Sequence, residues 1–215
     1  MTKKTVLLFN PLPREEEKIE QAHLHPPLSL LVIAAPLETE KEKYNIVIID
    51  ETIELHYQER LATVLNEDLL CVAITAITGA QIRHGVIFSK LIKKYNASVP
   101  IIWGGYHPTI LPDQTVSSEY VDIVVRGRGE DTFKEVVMHL YENKPLDSIM
   151  GLTIKKDNKI IRTPDRPFND INKNLPTPYH LVDINKYIYD GSGLGLGKKV
   201  LGIRTEQTES VYPVP

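Results

Sequence analysis

The sequence contains a single cysteine, Cys71, and this scarcity excludes several kinds of chemistry. A disulfide within the chain needs two thiols, and a metal site built from cysteine alone needs more than one thiolate. Cys71 lies inside the apolar run at residues 69–74, which is typical of a buried strand. We therefore interpret it as a small core residue and not as a catalytic thiol.

The sequence also lacks a long hydrophobic run and a strong net charge. No apolar run approaches the roughly 20 residues that cross a bilayer, and a strand pattern follows the first residues where a signal peptide would have its apolar core. The net charge of -3 at pH 7 gives no general attraction to nucleic acid or to an anionic membrane. We expect a cytoplasmic protein that recognises its partners through a specific site, with neither nucleic acid nor membrane among them.

Metal ligands and catalytic groups are equally scarce. The histidines show no spacing typical of a zinc site, apart from His23 and His25, which flank one leucine. No nucleophile, base and orienting group can be assembled from the residues that follow the predicted strands. The sequence therefore predicts no catalytic residue and no metal ligand in this chain.

Short β-branched runs alternate with longer amphipathic stretches along the first two thirds of the chain. The runs predict five strands, at residues 5–9, 46–50, 69–75, 99–103 and 122–125. Because these strands are apolar almost throughout, helices must cover both faces of the sheet, which is typical of parallel strands. With one helix after each strand, five in all, the pattern predicts a doubly wound α/β fold of the flavodoxin-like (Rossmann-like) class, with a five-stranded parallel sheet.

The helical stretches differ in how clearly they indicate a buried face. The last helix has an apolar stripe on residues 133–141, and the third, at residues 80–95, is predicted to turn Ile82, Val86, Leu91 and Tyr95 inward. Pro36 lies inside the first helix, where a proline costs about 3 kcal/mol. We expect a kink or an early end of the helix there.

The pattern changes after the last helix and predicts three segments. Residues 1–147 form the α/β domain, and residues 148–170 add a small β-hairpin appendage with strands at 151–155 and 159–163. From residue 171 to 215, proline, glycine and polar residues dominate without apolar periodicity, which indicates a linker.

The predicted strand ends carry an unusual set of small residues. In a doubly wound sheet, ligands bind beyond the carboxyl ends of the strands, where the strand order reverses. Small and hydroxyl side chains leave room and hydrogen-bond donors for a bulky ligand, and glycine lets the backbone approach it closely. The candidate ligand-binding residues are Asn10, Pro11, Thr75, Ala76, Ile77, Thr78, Gly79, Gln81, Gly104, Gly105, Tyr106, His107, Gly127, Gly129 and Glu130.

Two of these loops together resemble those of cobalamin-binding domains. That family has a small hydroxyl residue, any residue and an aliphatic residue, followed after a fixed interval by two glycines. Here Thr75-Ala76-Ile77 is separated from Gly104-Gly105 by the 26 residues 78–103, with threonine and isoleucine in place of serine and leucine. The resemblance implies a cobalamin-binding site at these loops.

Longer motifs narrow the resemblance. Residues 25–30, 103–108 and 125–133 are similar to those in the B12-dependent radical S-adenosylmethionine (SAM) enzymes, which include anaerobic magnesium-protoporphyrin monomethyl ester cyclases. The resemblance implies a cobalamin-holding module for methyl transfer or a ring-forming reaction, with a radical SAM domain as its partner. A [4Fe-4S] cluster and SAM would belong to the longer parent protein, because Cys71 cannot replace three cysteine ligands.

One departure from other cobalamin domains bears on the metal. Domains of the mutase type place a histidine on cobalt from the loop after the first strand, whereas residues 10–15 contain no histidine. The radical subgroup generally lacks that histidine too, so the resemblance implies cobalamin with its own base detached and no protein ligand on the lower face. The loop at residues 75–81 would then lie below the corrin, and His107 is interpreted as a structural residue.

A regulatory domain without cobalamin remains an alternative. A receiver-like domain would need acidic residues after the first strand and a phosphorylatable aspartate after the third, where this sequence has Asn10-Pro11 and Ala76-Ile77. A flavodoxin-like module would need a phosphate-binding loop after the first strand, and none is present at residues 10–15.

Overall fold

The computed structural model describes residues 3–14, 24–156, 159–168, 170, 175–190 and 199–201. The strands are β1 (Lys4–Asn10), β2 (Tyr44–Asp50), β3 (Leu69–Thr75), β4 (Ile101–Gly104), β5 (Ile123–Val125), β6 (Leu152–Lys156), β7 (Lys159–Arg162), β8 (Ile188–Asp190) and β9 (Lys199–Leu201). The α-helices are α1 (Leu28–Glu38), α2 (Gln58–Leu65), α3 (Ala80–Tyr95), α4 (Tyr106–Ile110), α5 (Pro112–Ser117) and α6 (Glu130–Tyr141). Two 3-10 helices, Tyr179–Leu181 and Ile184–Tyr187, precede β8.

Seven strands form one sheet in the order β2-β1-β3-β4-β5-β6-β7. The predicted parallel sheet is confirmed, because β1 to β5 pair in parallel throughout. The predicted hairpin is present, but it is not a separate appendage: β6 pairs antiparallel with β5 and β7 pairs with β6. The hairpin thereby covers the edge of β5, which would otherwise expose unpaired backbone groups. Asp157 and Asn158 of its turn lie outside the described residues.

The two faces of the sheet carry separate hydrophobic cores, as the apolar strands predict. Successive residues of β1 alternate between them, with Val6 and Leu8 on one face and Leu7 and Phe9 on the other. Helices α1 and α6 cover the first face, and α2 and α3 cover the second. On the second face the rings of Phe9 and Phe88 stack with centroids 3.7 Å apart. Every strand from β1 to β5 is therefore covered on both sides.

The buried face of α3 agrees with the prediction only in part, since Ile82 and Val86 pack against the core as expected. Leu91 and Tyr95 are exposed, and the helix instead buries Gln81, Gly85, Phe88, Ser89 and Ile92. The cause is Trp103 on β4, whose ring would lie 2.8 Å from a Cβ added at Gly85 and whose indole nitrogen donates a hydrogen bond to Ser89 Oγ at 3.1 Å. Because the bulky Trp103 lies on β4, the small residues Gly85 and Ser89 face it from α3. By contrast, α6 buries its predicted stripe.

Proline shapes the remaining helices. Helix α1 ends two residues after Pro36, in agreement with the expected early end. The stretch between β4 and β5 contains two short helices where one was predicted, and Pro112 opens the second of them. Proline suits a first helical position, because the amide hydrogen it lacks would have no partner there. None of the helices within the described ranges is both long and apolar enough to cross a membrane.

Part of the predicted linker packs on the domain. Tyr187 is fully buried, and its hydroxyl donates a hydrogen bond to Asp50 Oδ2 at the end of β2 over 2.8 Å. Leu181 and Val182 pack against the core on the α1 side of the sheet. Residues 178–188 thus belong to the folded unit, although they show no periodicity in the sequence. The linker residues 171–174, 191–198 and 202–215 lie outside the described residues.

Candidate functional site

The reversal of strand order places a site at one edge of the sheet. Strand β1 pairs with β2 on one side and with β3 on the other, so the chain winds outward in both directions from this pair. The loops after β1, β3, β4 and β5 all leave the sheet at its carboxyl edge. This is the location where ligands bind in doubly wound folds.

The loops after β3 and β4 contact each other through their backbones. The Ala76 amide donates to Gly104 O at 3.0 Å, and the His107 amide donates to Ala76 O at 3.1 Å. A Cβ at Gly105 would lie 2.9 Å from Thr75 Oγ1 and 3.0 Å from Ala76 O. Gly105, with a φ of +95°, is therefore required by the approach of one loop to the other. The absence of its side chain is not by itself evidence of a ligand.

Three other glycines leave open space. A Cβ at Gly104 would meet nothing nearer than Val125 O at 3.8 Å, and a Cβ at Gly79 or Gly127 would have no neighbour within 4 Å. Gly104 is the last residue of β4 and pairs with Thr75, the last residue of β3. The backbone of β4 is thus accessible at the centre of the carboxyl edge.

Large apolar side chains stand beside this open backbone. Ile77 is 50% exposed and Tyr106 is 67% exposed, although each lies only two residues beyond the end of a buried strand. Exposed apolar side chains around a concave or open backbone site are typical of binding sites for bulky organic ligands. Gly104, Ile77 and Tyr106 thus form an open, partly apolar surface at the carboxyl edge of the sheet.

The sequence missed one residue at this edge. Ser29, at the start of α1, donates a hydrogen bond from Oγ to Thr75 Oγ1 over 3.4 Å. Ser29 belongs to the motif at residues 25–30 that supported the family resemblance, and this membership was the available signal. The first turn of α1 therefore contributes to the surroundings of Thr75.

His107 has a structural environment. It is 9% exposed, and its Nδ1 lies 3.1 Å from Thr78 Oγ1, so the imidazole links α4 to the loop after β3. Within the part of the chain that the structure describes, no three or more histidine, cysteine, aspartate and glutamate side chains form a group suited to a metal ion.

The residues after β5 make contacts within the protein. The Gly127 amide donates to Thr109 Oγ1 at 3.0 Å, and a Cβ at Gly129 would contact Ile33 of α1 at 3.4 Å. Glu130, the first residue of α6, forms an ion pair with Arg128 at 3.0 Å. Glu130 and Arg128 line a cleft of about 400 Å³ between α1 and α6.

The predicted residues after β1 are held by the protein itself. Asn10 Nδ2 donates to Asp50 Oδ1 at 2.9 Å, and the same oxygen accepts hydrogen bonds from the backbone amide and hydroxyl of Thr52. Burial raises the pKa of the Asp50 carboxyl above its ordinary value. Pro11 O accepts a hydrogen bond from Gln81 Nε2, and Gln81 is 8% exposed. Asn10 and Gln81 thus have protein partners in place of open space.

Comparisons with known proteins agree with the resemblance predicted from the loops. A family model described as the B12 binding domain matches residues 19–137, more than half of the chain. A protein of Pyrococcus horikoshii named as an uncharacterized methyltransferase is 34% identical over 174 residues, covering 80% of this chain and 37% of that protein. The anaerobic magnesium-protoporphyrin IX monomethyl ester cyclase of Synechocystis is 25% identical over 194 residues, covering 86% of this chain and 38% of the cyclase.

Solved structures agree on the fold. The radical SAM methyltransferase TsrM from Kitasatospora setae, with cobalamin and a [4Fe-4S] cluster bound, superposes with a TM-score of 0.63 at 19% identity, covering 76% of this chain and 31% of TsrM. The cobalamin-dependent radical SAM enzyme OxsB superposes with a TM-score of 0.62 at 18% identity, covering 82% of this chain and 24% of OxsB.

These comparisons give no support to the receiver-like or flavodoxin-like alternative. The family model covers the loops after β3, β4 and β5, and the 34% identical relative covers four fifths of the chain. The chain therefore belongs to the B12 binding domain family.

Proposed function

We propose that this chain binds cobalamin at the carboxyl edge of its sheet. The observation that carries the proposal is the open backbone at Gly104, which pairs with the last residue of β3. Ile77 and Tyr106, two residues beyond the ends of β3 and β4, are both exposed. Thr75, through its hydroxyl, and the backbone from Ala76 to Gly79 would form the surface below the corrin. Cobalamin would supply a cobalt centre that carries a methyl group or electrons, while the chain supplies shape and orientation.

We further propose that the bound cobalamin has its own base detached and receives no protein nitrogen in its place. Residues 10–14 contain no histidine, and Glu15 lies outside the described residues. His107 Nδ1 contacts Thr78, and we propose that its other ring nitrogen, Nε2, does not coordinate cobalt either. The lower face of the corrin would then rest on small side chains.

The activity of the longer protein is a separate proposal. The chain spans less than two fifths of the curated relatives that it matches, and those relatives are named as a methyltransferase and a cyclase. We propose that this module presents cobalamin to a radical SAM domain of the same parent protein. Cys71 is fully buried, and burial raises the pKa of its thiol to about 12, so it is unsuited to hold an iron–sulfur cluster.

Binding tests the proposal directly. Gly104→Leu should raise the dissociation constant for aquacobalamin about 10–100-fold, because its side chain would occupy the open space at β4. Equilibrium dialysis with detection of the corrin absorbance measures this change. Ala62→Leu, on the exposed face of α2, is the matched control and should bind as the unsubstituted chain does. Equal affinity of a folded Gly104→Leu variant would contradict the site, and no binding by the unsubstituted chain would contradict the function.

Electron paramagnetic resonance tests the state of the cobalt. Reduced cob(II)alamin on the chain should give a spectrum without splitting from an axial nitrogen, because neither its own base nor a histidine would coordinate from below. His107→Ala should leave this spectrum unchanged. A nitrogen-split spectrum that is lost in His107→Ala would identify His107 as the cobalt ligand and refute the proposed coordination.

A further inference from the structure

Gln81 lies directly beneath the loop after β3 that belongs to the candidate site. It is the second residue of α3, directly after the loop at residues 75–79, and its side chain is buried under that loop. The sequence suggested that Gln81 contacts the cofactor. The structure instead places both polar atoms of its side chain on the backbone of the protein.

One amide group connects the loops on both sides of the strand reversal. Gln81 Oε1 accepts a hydrogen bond from the Ile77 amide at 2.9 Å, and Gln81 Nε2 donates one to Pro11 O at 2.9 Å. Ile77 follows β3 and Pro11 follows β1, so these bonds join segments far apart in sequence. An amide suits this task because it both donates and accepts, whereas a carboxylate cannot donate and an ammonium group cannot accept.

A second contact from the same face of α3 reinforces the first. Residues three apart on a helix lie on one face, and His84 follows Gln81 at that spacing. His84 Nδ1 lies 3.0 Å from Glu51 Oε1, and Glu51 Oε2 accepts a hydrogen bond from the Leu12 amide at 2.9 Å. Helix α3 therefore fixes Pro11 directly and Leu12 through Glu51.

We propose that Gln81 is a positioning residue that sets the separation of the β1 and β3 loops and thereby the affinity for cobalamin. This inference rests on the proposed function, because the β3 loop is the one that would lie below the corrin, and Gln81 ties it to the β1 loop across the strand reversal. Gln81 acts through Ile77 and Pro11 and does not contact the cofactor. Loss of its amide would let the two loops separate while the sheet beneath them stays intact.

Two substitutions separate the hydrogen bond that Gln81 accepts from Ile77 from the one that it donates to Pro11. Gln81→Met keeps the length of the side chain and removes both hydrogen bonds. Gln81→Glu keeps an acceptor for the Ile77 amide but cannot donate to Pro11 O when ionised. The matched control is Ser89→Ala on the same helix, which removes the buried hydrogen bond from Trp103 Nε1 and leaves both loops untouched.

The experiment combines aquacobalamin affinity with amide hydrogen exchange on the chain without cofactor. Gln81→Met should raise the dissociation constant at least about tenfold and speed exchange at Ile77, because its hydrogen bond is lost. Gln81→Glu should also weaken binding but leave Ile77 protected, which provides a second test if Gln81→Met folds poorly. Ser89→Ala should be less stable to urea and bind cobalamin normally.

The outcomes separate the two proposals. Normal affinity of Gln81→Met, or of Gln81→Glu at a pH at which its carboxyl is ionised, with normal binding by the unsubstituted chain, overturns the positioning role alone. Equal loss of affinity in Ser89→Ala also overturns it, because general destabilisation would then explain the effect. Failure of the unsubstituted chain to bind aquacobalamin overturns the proposed function and the inference that rests on it.

Discussion

Gly105→Ala is expected to lower the free energy of unfolding by about 2–6 kcal/mol. The backbone at Gly105 has φ +95° and ψ -167°, a region that other residues enter at a cost of about 1–3 kcal/mol. Its new Cβ would also lie within about 3 Å of Thr75 Oγ1 and the Ala76 backbone, and such overpacking costs about 1–3 kcal/mol more. Urea unfolding followed by circular dichroism measures the change.

Gly79→Ala is the matched control for this effect. Gly79 has a similar backbone conformation, with φ 122° and ψ -143°, but a Cβ there would meet no atom within 4 Å. The free energy of unfolding of Gly79→Ala should therefore fall only by the cost of the backbone conformation, about 1–3 kcal/mol. The difference between the two variants isolates the close approach of the β3 and β4 loops. Equal losses would show that this approach is absent in solution.

Tyr187→Ala should lower the free energy of unfolding by about 3–5 kcal/mol, which is the usual cost of removing a large buried aromatic side chain. Tyr187 is fully buried at the β2 edge, and its hydroxyl is the partner of Asp50 Oδ2. The alanine variant would create a cavity and leave a buried carboxyl oxygen without that partner. Denaturant titration of the whole chain measures the loss.

Tyr187→Phe separates the cavity from the hydrogen bond. The ring would still fill its space, so the variant should lose only about 1–3 kcal/mol for the partner removed from Asp50. A loss below about 1 kcal/mol for Tyr187→Ala would contradict the packing of residues 178–188 on the sheet. Residues 178–188 would then behave as the linker that the sequence predicted, without a contribution to stability.

The parallel part of the fold could be predicted because its strands are apolar on both faces. Val6 and Leu7 point to opposite cores, and a chain with such strands must cover both sides of the sheet. The buried face of α3 could not be predicted in the same way, because apolar periodicity favours large residues. Gly85 and Ser89 face the core only because Trp103 on β4 fills the space between strand and helix.

The sequence could predict that the candidate residues lie together at one edge of the sheet, but not which contacts they make. Thr75 and Gly104 lie side by side at the carboxyl edge, because the ends of neighbouring parallel strands meet there. The role of Gly105 depends on the distance between two loops, and the partners of Gln81 come from residue 11 as well as from its own loop. The burial of Tyr187 against Asp50 likewise joins residues 137 positions apart, which local patterns do not reveal.

The burial of Cys71 allows selective chemical labelling of a second, introduced cysteine. Maleimides and methanethiosulfonate reagents modify thiolates, and a fully buried thiol with a pKa of about 12 presents almost none at neutral pH. A second cysteine introduced at an exposed position can therefore be modified selectively while the natural one stays in place. Ile77, half exposed beside the strand reversal, is such a position. A nitroxide or fluorophore attached there would follow events at the carboxyl edge of the sheet without any change to the core.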